Sequence, residues 1–233
     1  MDDVTVYNLH DHQPYTKILH LQHRLHALRV ANRIGNVILL LEHSPVISIG
    51  RTLGADAHLL GDPIFLRSQG IAVCATNRGG DITYHGPGQL VVYFILLLSE
   101  RDIRWFVRNV EQSVIAFLAK YGIQGHCEPE YPGVWVNAEK ICALGIYVRQ
   151  WVTMHGIALN VCPNLSHFQF IVPCGIDNKG VTSLQKIYQE HHREFHGDLE
   201  QIKQEYLKSF AETFQVAVAE EDQRRVWRYL EGS

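Results

Sequence analysis

Four short stretches of the 233-residue chain hold the residue types from which chemistry is built. The first runs Asn77-Arg78-Gly79-Gly80-Asp81-Ile82-Thr83-Tyr84-His85-Gly86-Pro87-Gly88-Gln89. Its glycines, lacking Cβ, let backbone N–H groups approach a ligand closely. Arg78 adds a planar fork of donors and His85 a group that titrates near neutrality. A plain tight hairpin needs one or two glycines, not the four found here beside Arg and His. Neither GxGxxG nor GxxxxGK[ST] is present, which excludes a dinucleotide fingerprint and a phosphate loop.

The second stretch, Glu139-Lys140-Ile141-Cys142-Ala143-Leu144-Gly145-Ile146, sets a charge at the start of an apolar run. Either the lysine lays its stem on apolar surface with its head in solvent, or it has a partner that gives it a use. In the third, His155-Gly156-Ile157-Ala158-Leu159-Asn160-Val161, Gly156 and Ala158 share one strand face and make room for another backbone or for a ligand chain. His155 is as compatible with a satisfied core histidine as with a catalytic one. The fourth is Pro173-Cys174-Gly175-Ile176, followed by Thr182-Ser183-Leu184. A cysteine between Pro and Gly at the end of an apolar strand suits an exposed nucleophile better than a core filler.

The elements that must position these residues follow from periodicity. Ile18, Leu21, Leu25 and Leu28 predict a helix opening after Pro14, and Phe106, Val110, Val114, Phe117, Leu118 and Tyr121 predict one over 104–121. A last amphipathic helix is predicted from Leu199 to Phe214. Strands are predicted at 4–9, 37–41, 46–49, 71–76, 90–98, 134–136, 140–148 and 153–161, and a loop over 51–63. Strands in the middle with helices before, between and after them predict an α/β or α+β single domain with a central mixed sheet.

Bulk properties narrow the class. Twenty-one basic against 24 acidic residues give a net charge of −3, so there is no general pull toward nucleic acid or an anionic membrane. The longest apolar run, Leu90 to Leu98, is too short for a membrane helix and reads as a strand buried on both faces. The acidic start Met1-Asp2-Asp3 has no apolar stretch behind it, and five scattered cysteines include no CxxC. Both features predict a cytoplasmic, reducing location and no zinc ribbon. His20, His23 and His26 are spaced to spread around a helix, so no metal site and no cofactor are expected.

Taken together, RGGDITYHGPGQLV at 78–91, KICALG at 140–145, HGIALNV at 155–161 and PCGI at 173–176 with TSL at 182–184 resemble the lipoyl(octanoyl) transferases. The resemblance runs from about Tyr7 to Phe214. It implies a fold like the catalytic domain of biotin and lipoate protein ligases. The expected arrangement is one catalytic domain over 1–233, with a core from about 7 to 214 and an extension over 215–233. It also implies transfer of an octanoyl or lipoyl group from acyl carrier protein to a lysine of lipoyl domains, through a thioester on Cys174, with Lys140 lowering the thiol pKa. The acceptors would be the 2-oxo acid dehydrogenase E2 subunits and the glycine cleavage H protein. The acyl-binding segments of the family match Arg78, Gly79, Gly80, Asp81, Ile82, Thr83, Tyr84 and His85, then Ala143, Leu144 and Gly145, then Gly156, Ile157 and Ala158.

His85 remains a rival partner for the thiol. Cys142 departs from the family, which more often has alanine there; a second thiol near the site or a small buried hydrophobe are its two readings. The tail after Phe214 matches no familiar pattern, and Arg224, Arg225 and Arg228 read as a solvated end. Arg101, Arg104 and Arg108 read either as solvated charges or as a basic face for an acidic carrier protein. An ATP-dependent lipoate–protein ligase and a non-catalytic acyl-binding or lipoyl-domain-binding module are the competing functions.

Overall fold

A computed structural model describes residues 2–172 and 179–231. Its main sheet is built from strands β1 (Val4–Gln13), β2 (Asn36–His43), β6 (Gln89–Ile95), β7 (His126–Glu128), β8 (Tyr131–Val136), β9 (Glu139–Arg149), β10 (Val152–Asn160) and β12 (Val218–Glu221). They lie in the order β12-β1-β2-β6-β10-β9-β8-β7, and the two-residue β11 (Gly180–Val181) pairs with β9. β1–β2, β1–β12 and β9–β11 are parallel and the other ladders antiparallel, so the sheet is mixed.

β6 is buried at every position, as its unbroken apolar run requires. Helices cover both of its faces. α3 (Ile103–Lys120) and α5 (Leu199–Phe214) pack on one side. The side chains of Asp102 and Asp198 cap their first turns by accepting backbone N–H bonds. Phe94 stacks on Phe210 and meets Phe106 edge-on, which locks helices to sheet. The other side is covered by α1 (Tyr15–Val30) and α6 (Arg224–Glu231). Arg224, Arg225 and Arg228 face solvent as expected, but Val226 between them is fully buried against α1, with Lys17 over the Trp227 ring.

A small sheet of β4 (Ala72–Ala75), β3 (Val46–Ile49) and β5 (Ile82–His85) stands beside the main one. The connection predicted as loop over 51–63 differs: it forms a 3-10 turn at Ala55–His58 and then leads into a short helix, α2 (Pro63–Ser68). Asp62 accepts from the N–H groups of Ile64 and Phe65, and Pro63 takes the first helical position, so Asp-Pro was a helix start rather than loop punctuation. Helix α4 (Leu184–Glu190), capped by Ser183, and the elements β7, β12 and α6 likewise lay outside the sequence expectations, because each is too short for a periodic signal. Among the described residues no helix is long and apolar enough to cross a membrane.

Candidate active site

A cavity of about 840 Å³ opens between β9 and β10 of the main sheet and the glycine-rich segment. Arg78, Gly79, Gly80, Asp81, Ile82, Thr83, His85, Lys140, Ala143, Leu144, Gly145, Gly156, Ile157 and Ala158 all border it. Tyr84 does not: it is buried in the core of the small sheet with its hydroxyl bonded to His167 Nδ1 at 2.8 Å. Thr83 and His85 alternate with Tyr84, which shares the small-sheet core with Ile82, although Ile82 also borders the cavity. Cys174 lies outside the described residues.

The glycine-rich segment is pinned from both sides. Gly50, Arg51 and Thr52 donate backbone bonds to the carbonyls of Asp81, Arg78 and Gly80. On the far side Gly79 donates to Ile146 O at 3.1 Å, occupying a stretch of β9 that β8 no longer reaches. That contact needs bare backbone on both partners. A Cβ on Gly145 would sit 2.8 Å from Gly79 O, and one on Gly79 would sit 2.8 Å from Ile146 O. Arg78 is buried and turns its fork inward, donating to Ser48 O at 2.6 Å, to Ser48 Oγ and to Gly79 O. Arg78 therefore braces the loop. Asp81 accepts from its own neighbour Ile82 N–H at 2.6 Å and pairs with His58 Nδ1 at 2.8 Å.

Lys140 is not laid out with its head in solvent. It is 7% exposed, donates to Pro132 O at 3.2 Å, and its ammonium stands 4.7 Å from the Trp135 ring centroid. A register shift in the β8–β9 ladder decides this placement: Val134 faces Cys142, yet Trp135 faces Lys140, leaving Ile141 as the extra residue. Ile141 and Cys142 both enter the core beneath α3 and α5, while Lys140 joins Ala143 and Ala158 on the cavity side. Cys142 is thus a small buried hydrophobe. Burial drives its thiol pKa well up, although the Lys140 charge pulls the other way.

Gly156 and Ala158 prove unequal. A Cβ on Gly156 would sit 1.9 Å from Val92 O, so that glycine admits the neighbouring strand backbone. Ala158, paired with Ala143 and Val91, keeps the cavity wall low. His155 is buried at φ +60°, its N–H held by Gln22 Oε1 at 2.9 Å and its Nε2 2.7 Å from Asn77 Oδ1. Burial first, then the Arg78 and His23 charges, hold its pKa down at about 3. His85 is kept well below its ordinary range by burial, with His43 and Arg78 adding to the effect. Its two ring nitrogens are engaged by Ser48 Oγ and Gln89 Oε1, which leaves it poorly placed as a base for the thiol.

Tyr15, Tyr93, Ile103, Val107, Tyr131 and Pro132 also line the cavity. They come from α1, β6, α3 and β8, and no spacing in the chain joins them. Among the described residues no group of three or more His, Cys, Asp or Glu is arranged to hold a metal ion.

The mixed sheet, the glycine-rich strap, the cavity and the buried lysine together make up the candidate site. The family model for the lipoyl protein ligase A/B catalytic domain matches residues 14–211, and the chain belongs to that family. An octanoyltransferase of Caldicellulosiruptor bescii is 50% identical over 177 residues, covering 74% of this chain and 77% of that one. Likeness of that extent makes this protein a transferase enzyme. The fold is shared more widely. A bipartite lipoate protein ligase from Thermoplasma acidophilum, solved in work on an archaeal lipoylation system, superposes with a TM-score of 0.75 at 15% identity, over 99% of this chain and 92% of that one. The biotin protein ligase of Aquifex aeolicus gives a TM-score of 0.52 at 15% identity, over 92% of this chain and 71% of that one. The expected likeness to biotin and lipoate ligases is therefore met at the level of the fold.

Proposed function

We propose that this enzyme takes an octanoyl group from the thioester of acyl carrier protein onto Cys174 and passes it to a lysine of lipoyl domains. E2 subunits of 2-oxo acid dehydrogenases and the glycine cleavage H protein are the acceptors, and the cytoplasm is the setting. The whole chain works as one catalytic domain, with Cys174 and Lys140 as its catalytic pair. The observation that carries the reading is a buried ammonium at the wall of an apolar cavity, in a chain that is 50% identical to an octanoyltransferase over 177 residues.

The chemistry balances without ATP or a cofactor. Only a few per cent of an ordinary thiol is thiolate at neutral pH, and a nearby ammonium favours the anion. The Cys174 thiolate attacks the donor carbonyl, the carrier thiol leaves with a proton, and one thioester replaces another. The departing carrier thiolate takes its proton from the Lys140 ammonium, which leaves Lys140 neutral; the acceptor amine then attacks the acyl-enzyme and gives its proton to that neutral Lys140, and the Cys174 sulfur leaves as thiolate beside the restored ammonium. The residues from Arg78 to His85, from Ala143 to Gly145 and from Gly156 to Ala158 hold the chain, with Tyr84 acting from behind the wall.

The test is the intact mass of the protein after mixing with octanoyl-acyl carrier protein in the absence of ATP, beside Cys174→Ser. A gain of one octanoyl group in the wild type alone is expected. A gain only with ATP would point to a ligase, and none under either condition to a binding module. A gain surviving Cys174→Ser would place the acyl group on another residue. Lys140→Arg should abolish the second step, and full transfer by that variant would exclude the base role.

A further inference from the structure

Two buried amides, Gln89 and Asn160, join the glycine-rich segment to the strand that carries Lys140. They face each other on the β6–β10 ladder, are 1% and 4% exposed, and do not border the cavity. Gln89 Nε2 donates to Tyr84 O at 3.3 Å and to Asn160 Oδ1 at 2.9 Å. Asn160 Nδ2 donates to Thr182 O at 3.0 Å. A backbone carbonyl can only accept, so each of these contacts fixes which end of its amide is nitrogen. Gln89 Oε1 therefore faces His85 Nδ1, 2.7 Å away, and that ring nitrogen carries the proton. His85 Nε2 is left to accept from the Ser48 hydroxyl at 3.2 Å. Ser48 Oγ in turn accepts from Arg78 Nε at 3.2 Å and Nη2 at 3.1 Å.

All of these donors point the same way. From the Arg78 guanidinium through Ser48, His85, Gln89 and Asn160 to the Thr182 carbonyl, each bond polarises the next. No residue in the row is more than 8% exposed, so water competes little for its bonds. Thr182 completes the path to the lysine. Its own N–H donates to Lys140 O at 3.0 Å, and Val181 pairs with Lys140 in the β9–β11 ladder. β11 has two residues, too few to hold that register unaided.

Resting on the proposed function, in which Lys140 serves both the thiol and the amine, we infer that Asn160, seated by Gln89, is a positioning residue of the reaction: it holds the Thr182 carbonyl and so pins β11 against β9, which keeps Lys140 in place at the cavity wall. Arg78 and His85 anchor the far end of the row. Without the Asn160 amide, Thr182 O loses its donor and β11 opens from β9 more often. Lys140 then shifts by a fraction of an ångström, which the transfer does not tolerate. The β6–β10 ladder and the Gln185 N–H bond to Val161 O at 2.9 Å do not depend on either amide, so the variants retain their core.

The experiment compares wild type with Asn160→Leu and Gln89→Met, which keep the size of the side chain and remove its amide. Val226→Ala serves as the control for stability lost away from the cavity. Hydrogen exchange at the Thr182 N–H, followed by NMR, reads the pinning, and steady-state transfer from octanoyl-acyl carrier protein across a pH range reads its use. In Asn160→Leu, exchange at Thr182 should be about tenfold faster and kcat about tenfold or more lower, with KM for the donor within about twofold. A lysine set back from the thiol lets the thiol pKa rise, so the acid limb of kcat/KM should move up by about half a pH unit. Gln89→Met should move the same quantities less, and Val226→Ala should move none of them. Unchanged exchange at Thr182 in Asn160→Leu would overturn the pinning. Faster exchange with kcat and the acid limb unmoved, or equal losses in Val226→Ala, would overturn the positioning role. Should Asn160→Leu fail to fold, Gln89→Met carries the same test. A wild type that transfers no octanoyl group while this order of exchange rates holds would overturn the proposed function and not the pinning.

Discussion

Gly145→Ala asks whether the glycine-rich strap positions the acyl chain. The added methyl would lie 2.8 Å from Gly79 O and 3.3 Å from Arg78 Cδ. Ordinary van der Waals contact requires the strap to retreat by about 0.5 Å. The Gly79 N–H bond to Ile146 O, already 3.1 Å, then stretches out of range, at a cost of about 1 kcal/mol. Against this, alanine in place of glycine in a strand restores roughly 0.5–1 kcal/mol of backbone entropy. The two terms nearly cancel, so the melting temperature should move by less than about 4 °C for a chain of this size. Transfer depends on reacting groups held to a fraction of an ångström, so kcat/KM for octanoyl transfer should fall about tenfold or more. The assay pairs scanning calorimetry with steady-state transfer from octanoyl-acyl carrier protein. Gly156→Ala is the contrast: its methyl meets Val92 O at 1.9 Å between two core strands that cannot retreat, costing about 3 kcal/mol and roughly 10 °C. Unchanged kcat/KM in Gly145→Ala would refute the positioning role of the strap, and a loss of stability as large as that of Gly156→Ala would refute the energetic reasoning.

Other expectations follow from burial and charge. His43 and His155 have folded pKa values of about 4 and about 3, set mainly by burial, and His85 is also well below 6.5. As pH falls below about 6.5 the unfolded chain binds protons at these sites and the folded chain does not. Stability should therefore drop by about 1.4 kcal/mol per pH unit per histidine down to about pH 5; a flat or rising denaturant midpoint over that range would contradict it. Ala158→Phe should impair transfer of decanoyl more than hexanoyl chains, because the ring blocks the cavity beyond the reacting end; equal loss at both lengths would place the acyl chain elsewhere. Val226→Ala should lower stability by about 2 kcal/mol with transfer intact, since α6 packs on α1 away from the cavity; an unchanged melting temperature would mean that this helix contributes nothing to the fold.

Residues 104–121 repeat apolar side chains at helical spacing, and α3 forms over Ile103–Lys120 because that stripe has one large sheet face to cover. The run from Leu90 is apolar at every position, and β6 lies buried between β2 and β10 as such a run must. The first three chemistry-bearing stretches were legible for a similar reason: glycine and lysine in such settings are costly unless used, and residues of all three border the cavity, while Cys174 of the fourth lies outside the described residues. Their convergence was not legible. Alternation alone would put Lys140 on the face of Cys142, and one extra residue opposite Val134 and Trp135 puts it on the face of Ala143 instead. Arg78 looked like a donor offered to a ligand, yet it braces its own loop through Ser48, thirty positions earlier in the chain. Local sequence dictates which elements form, because propensity, capping and periodicity act within a turn or two. Which side chains share a cavity depends on strand register and on packing between distant elements, and only the tertiary structure decides those.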